Sequence, residues 1–151
     1  MARPAEAPAA TRADMVARRR LVVKVGSSAL VDPSGRLSLA RLTALADGIG
    51  QYAAGGRQVV LVSSGAQAAG LEPLGLARRP KGLAQAQAAA SVGQSRLMAA
   101  YTAAFAARGL VVGQVLLTAQ DTLRQAQYRN ALRVLAELLG CGVVPIVNEN
   151  D

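Results

Sequence analysis

The chain has 151 residues, enough for one domain with a sizeable core; 52% are hydrophobic but only 3% aromatic, so that core has to be built from Ala, Leu and Val. Histidine is absent and Cys141 is the one cysteine, which excludes histidine acid–base chemistry, an internal disulfide and a His or Cys metal cluster; no metal site is expected. The formal net charge is +8, but the basic residues are scattered and stacking aromatics are nearly missing, which favours anionic small molecules over nucleic acid.

Residues 1–17 are rich in Ala and Pro with scattered charge and lack the apolar core of a secretion signal, so they read as a flexible extension. The first strand spans about 20–26. In Leu21-Val22-Val23-Lys24-Val25-Gly26-Ser27-Ser28, four aliphatic residues flank one lysine, as in a buried strand of a parallel sheet. A buried ammonium without a partner is costly, so Lys24 is expected at the carboxyl end of the strand, where open α/β sheets bind ligands. Gly26 lets a ligand come close to the backbone, and Ser27 and Ser28 offer N–H and hydroxyl donors, a combination that suits a phosphate. The alternative is a lysine that reaches off the strand end into water.

Residues 31–35 form a turn, after which Ser38 caps a helix over 39–54 with a buried stripe of Leu39, Leu42, Leu45, Ile49, Tyr52 and Ala53. Gly55-Gly56 ends it, and a second strand covers 58–62. Ser63-Ser64-Gly65-Ala66 leads into a short helix ending near Gly70. Residues 71–82 are an irregular loop with Pro73, Gly75, Pro80 and Gly82. A long Ala-rich helix over 83–107 is expected, kinked at Gly93 and closed by Gly109.

Strand three covers 110–117. A helix over 125–139 buries Tyr128, Ala131, Leu132, Leu135, Leu138 and Leu139, and strand four covers 143–147, an apolar strand expected at an open edge of the sheet. Cys141, in an apolar context, reads as a small core residue, and its being unpaired fits a reducing, cytoplasmic setting. No apolar run is long enough to span a membrane. The order of elements favours a parallel sheet with helices on both faces.

All strands of such a sheet end on one edge. Three strand-end loops there are small, polar or charged: Gly26-Ser27-Ser28, Ser63-Ser64-Gly65-Ala66 and Asn148-Glu149-Asn150-Asp151. Ser64 is either part of an anion-binding helix start or a plain N-cap. The last loop is either a polar turn or a carboxylate that holds a ligand ammonium. Together the loops suit a zwitterionic amino acid that receives a phosphate. A carboxylate nucleophile is already ionised at neutral pH, so the missing histidine is no obstacle.

Five segments, in order over residues 18–151, resemble glutamate 5-kinase within the amino acid kinase superfamily. They are Val22–Ser28, Val62–Ala66, Ala90-Ser91-Val92-Gly93-Gln94-Ser95-Arg96-Leu97, Gly113–Thr118 and Val144–Asp151. The resemblance implies a three-layer αβα fold with a mainly parallel open sheet. It also implies phosphoryl transfer from ATP, with nucleotide-bound Mg2+, to the γ-carboxylate of L-glutamate, the first step of proline synthesis. Lys24 then neutralises the transferring phosphoryl group, with Gly26 and Ser27 at the ATP phosphates. Ser64, Asn148 and Asp151 match the glutamate pocket, with Gly65 and Ala66 contributing backbone N–H groups. Asp121 falls where the family senses proline as a feedback inhibitor. The family further implies a homo-oligomer and channelling to glutamate-5-semialdehyde dehydrogenase. Residues 18–151 match the acceptor-substrate half; the family's nucleotide-binding half and PUA domain are missing, so the chain reads as a fragment expected to be inactive alone. The competing readings are a non-catalytic module that binds glutamate or proline, and another kinase of the superfamily.

Overall fold

The computed structural model describes Asp14, residues 17–118 and residues 123–149. In chain order the elements are β1 (Arg20–Val25), α1 (Ser27–Leu30), α2 (Leu39–Ala53), β2 (Gln58–Ser63), α3 (Ala66–Leu71), α4 (Leu83–Ala106), β3 (Val112–Leu117), α5 (Gln125–Gly140) and β4 (Val144–Glu149). The four strands make one sheet in the order β1-β2-β4-β3, and all three pairings are parallel. Parallel neighbours need crossovers that lie on the faces of the sheet, and the helices supply them.

The face carrying α2 and α4 holds most of the core. Val25, Val59, Leu61, Val144 and Ile146 of the strands pack with Leu42, Ala46 and Ile49 of α2 and Leu97, Tyr101 and Phe105 of α4. Strand alternation turns Val60, Val115 and Val147 to the other face, where Leu139 of α5 meets them. The result is the expected three-layer α/β architecture with a parallel open sheet. Among the described residues, no helix is long and apolar enough to cross a membrane.

Local signals were mostly reliable. Ser38 caps α2, its hydroxyl accepting from the Arg41 N–H at 3.4 Å. Glycines at positive φ close α2 at Gly56 (+70°) and α4 at Gly109 (+67°). The turn at residues 31–35 is organised by the Asp32 carboxylate, which accepts from the Ser34 hydroxyl at 2.6 Å and from the Ser34 and Arg36 N–H groups at 2.9 and 3.1 Å. Those bonds, the Ser34 hydroxyl first, hold the Asp32 pKa below its ordinary value.

Several expectations are corrected. β4 is not an edge strand; it inserts between β2 and β3, and the edges are β1 and β3. β1 is not a buried strand: its exposure alternates, Val22 is 61% exposed, and only Val25 is buried, because α5 does not reach this edge. Leu39 is 66% exposed in the first turn of α2, and Ala46 takes a place in the buried stripe instead. Tyr128 and Leu132 are exposed, because only the C-terminal part of α5, through Leu135, Leu138 and Leu139, lies on the sheet. Cys141 is exposed in the turn after α5, where Gly142 takes φ +74°.

Gly93 lies within α4, which is continuous from Leu83 to Ala106. Its role is close approach. A Cβ on Gly93 would lie 1.7 Å from the Ala66 carbonyl oxygen, and one on Gly70 would lie 1.9 Å from that of Ala89. Two glycines on facing helices thus let α3 and α4 cross backbone to backbone.

Candidate functional site

The carboxyl edge of the sheet opens into a cleft of about 570 Å³ on the α4 side. Its floor comes from the strand ends: Ser27 after β1, Ser64, Gly65, Ala66 and Gln67 after β2, Gln114 and Leu116 of β3, and Asn148 of β4. One wall is a face of α4 running from Leu83 and Gln87 through Ser91 to Gln94 and Ser95, and Arg79 borders it from the preceding loop. Arg79 is the one formally charged residue among the described lining residues. A cleft of amides, hydroxyls and backbone N–H groups suits a small polar ligand.

The loop after β2 is held from below. The Tyr101 hydroxyl, fully buried in α4, lies 2.7 Å from the Ser63 hydroxyl, and Ser63 Oγ donates to the Ser64 carbonyl oxygen at 3.1 Å. With Ser63 donating onward, Tyr101 donates to Ser63. Burial pushes the Tyr101 phenol pKa up, offset in part by the Ser63 bond, so this donor keeps its proton. The Ser64 N–H donates to the Val25 carbonyl at 3.1 Å, tying the ends of β1 and β2 together. Gly65, at φ +115°, is the residue that turns the chain into α3. Ser64 is therefore not the cap of α3; Gly65 holds that position and no side chain caps the helix.

The last strand contributes Asn148, which is 7% exposed. β4 runs on through Glu149, so Asn148 is a strand residue with a fixed direction rather than part of a turn. It shares its side of the sheet with Val144 and Ile146, the α4 side. There the Asn148 Nδ2 donates to Gln94 Oε1. The Gln94 Nε2 is buried and has no hydrogen-bond partner among the described residues. An unmatched buried donor costs about 1–3 kcal/mol.

The structure thus brings Ser27, Ser64, Gly65, Ala66 and Asn148 to one cleft, as their loops led us to expect. Lys24 and Gly26 do not line it. Lys24 is exposed near the carboxyl end of β1, in register with Val62 and on the α5 side of the sheet with Val22. Gly26 precedes α1 at φ −74°, and a Cβ there would meet nothing within 4 Å, so the backbone is open to approach. Asp121 and Asp151 lie outside the described residues. Arg79 and the α4 wall were not read as site residues. The available signal was Gln87, Ser91 and Gln94 at helical spacing inside a run otherwise made of Ala, Val and Gly.

The amino acid kinase family model matches residues 19–151, nearly all of the described fold. The chain belongs to the amino acid kinase family. Within that family, it is 57% identical over 141 residues to glutamate 5-kinase from Thermobifida fusca (strain YX), covering 93% of this chain and 36% of that protein. It is 61% identical over 137 residues to glutamate 5-kinase from Salinispora arenicola (strain CNS-205), covering 91% of this chain and 37% of that one. The chain therefore spans little more than a third of the length of these relatives. Among solved structures it resembles an isopentenyl phosphate kinase (TM-score 0.56, 15% identity, 87% of this chain and 59% of that one). A UMP kinase from Bacillus anthracis is similar at TM-score 0.54 and 18% identity, with 85% of this chain and 52% of that one covered. At those identities the structures speak for the amino acid kinase fold alone.

Proposed function

We propose that this chain is the acceptor-substrate portion of a glutamate 5-kinase, which transfers a phosphoryl group from ATP to the γ-carboxylate of L-glutamate. The observation that carries this reading is the cleft: Ser64, Gly65 and Ala66 after β2 and Asn148 of β4 line one polar space in a chain 57% identical to a glutamate 5-kinase. Glutamate offers a carboxylate at each end and an ammonium, and amides and hydroxyls can hydrogen-bond all three. Its γ-carboxylate is ionised at neutral pH and needs no general base, in keeping with a chain that has no histidine.

The nucleotide phosphates belong, in this reading, at the end of β1. Lys24 offers an exposed cation there, and the open space beside Gly26 leaves room for a phosphate against the backbone. In this reading Mg2+ arrives on the ATP phosphates. ATP with its Mg2+ supplies the phosphoryl group; this chain's residues orient the acceptor and meet developing charge. Asp151 as a partner for the ligand ammonium and Asp121 as part of a proline-sensing region complete the proposal.

Amide NMR of the isotopically labelled chain tests it. Titration with L-glutamate should shift the resonances of Ser64, Gly65, Ala66 and Asn148 and leave those of α5 in place. Shifts at these positions with UMP or isopentenyl phosphate, and none with L-glutamate, would assign the cleft to a different acceptor.

A further inference from the structure

The α3–α4 crossing does more than pack two helices. Because Gly93 has no side chain, α4 comes down onto the Ala66 carbonyl, and the next residue, Gln94, is delivered to the strand end where Asn148 stands. Both line the cleft. The bond between them has a direction. Asn148 Nδ2 faces Gln94 Oε1, so the Asn148 nitrogen points at α4 and its carbonyl oxygen lies on the opposite side of the planar amide. Gln94 in turn has spent its oxygen and is left with a buried N–H donor that nothing among the described residues matches.

We propose that Gln94 is a positioning residue that fixes the Asn148 amide with its carbonyl oxygen free to accept from a ligand, so that the cleft selects acceptors carrying an amino group. This rests on the glutamate reading above and adds which end of the ligand the Gln94–Asn148 pair reads. An Asn free to rotate could offer either atom and would serve a carboxylate as well as an ammonium. An Asn held by Gln94 offers an acceptor, which rewards an ammonium. The unmatched Gln94 donor is complementary to an oxygen, and an α-amino acid carries a carboxylate on the same carbon as its ammonium. Tyr101 and Ser63 hold the facing loop, so neither wall of the cleft has to reorganise to make the distinction.

Calorimetric titration of the 151-residue chain with L-glutamate and with glutarate, the same dicarboxylate without its amino group, reads this selectivity. Wild type should prefer L-glutamate by about tenfold or more, the effect of one hydrogen bond to a charged group. Gln94→Met fills the same space without holding the amide and should cut that preference by about threefold or more, the remainder being the part that Asp151 supplies. Gln94→Glu restores the accepting oxygen and should keep the preference. Equal preference in wild type and Gln94→Met, with glutamate still bound, overturns the role of Gln94 and leaves the glutamate reading standing. Failure of wild type to bind glutamate overturns that reading, and this inference with it. If Gln94→Met does not fold, the side-chain amide signals of Asn148 in the unaltered chain decide. A shift with L-glutamate and none with glutarate supports the proposal, and equal shifts refute it.

Discussion

The two faces of the sheet are built from the same strands and yet differ sharply. On the α4 side, Leu61, Ile146, Leu97, Tyr101 and Phe105 are each at most 1% exposed and form one continuous cluster. On the α5 side the cluster is four buried residues, Val60, Val115, Leu139 and Val147, while Val22, Tyr128, Leu132 and Val134 are between 46% and 61% exposed. The cleft opens on the densely packed side. A polar site needs its side chains held in place, and on this side the packed core lies directly beneath Ser64 and Asn148. The α5 side has the looser packing and none of the cleft's wall helix.

The contrast can be broken at its strongest point with Gly93→Ala. The added methyl group collides with the Ala66 backbone, not with a movable side chain, so the α3–α4 crossing has to open. We expect a loss in the uncommon range of about 4–5 kcal/mol, read from urea denaturation. Phe105→Ala, a cavity beneath the same face, should cost about 3–5 kcal/mol. Leu132→Ala on the other face removes an apolar side chain that is 47% exposed and should stay within about 0.5 kcal/mol. Comparable losses for Phe105 and Leu132 would mean that α5 is held as firmly as α4.

Tyr101→Phe sharpens the comparison inside the dense face. It keeps the ring and deletes the donor to Ser63, so about 1–2 kcal/mol is expected. The pH signature is specific. Folding raises the Tyr101 pKa, so its contribution is complete below the ordinary tyrosine value and declines as pH rises from there toward the folded value. The phenylalanine variant should lack that alkaline decline. The smallest effect is Asp32→Asn in the exposed turn. Folding lowers the Asp32 pKa, so wild type should lead the variant by a small margin in Tm at neutral pH and lose that lead as pH falls through the folded pKa.

What the sequence revealed follows the same division. Elements signalled by local chemistry were legible: Ser38 as a cap, Gly109 as a stop and the polar residues at the ends of β1, β2 and β4. Burial was not, because it depends on what lies opposite. The apolar stripe of α5 was real, but half of it faces no strand; Leu39 has the right period and no neighbour. Strand order was equally hidden, since Val143–Val147 reads the same in the middle of a sheet as at its edge. In the cleft, Ser64 and Asn148 were found from their loops. Gln94 sat in a motif that marked the family, but its bond to Asn148 spans 54 positions and no local pattern encodes it.

The insertion of β4 between β2 and β3 has a consequence for how the chain assembles. β1 and β2 can pair as soon as both exist, but among the described strands β3 has no partner until β4 arrives to bridge it to β2. β3 meets β4 along six register pairs, from Val112↔Val144 to Leu117↔Glu149. During synthesis, the completed strand β3 must therefore wait through all of α5, with its backbone donors and acceptors unmatched. Closure is a late, long-range event, entropically expensive and correspondingly slow. The strand that joins β3 to β2 is also the one that carries Asn148: until β4 is in register, Gln94 has nothing to hold.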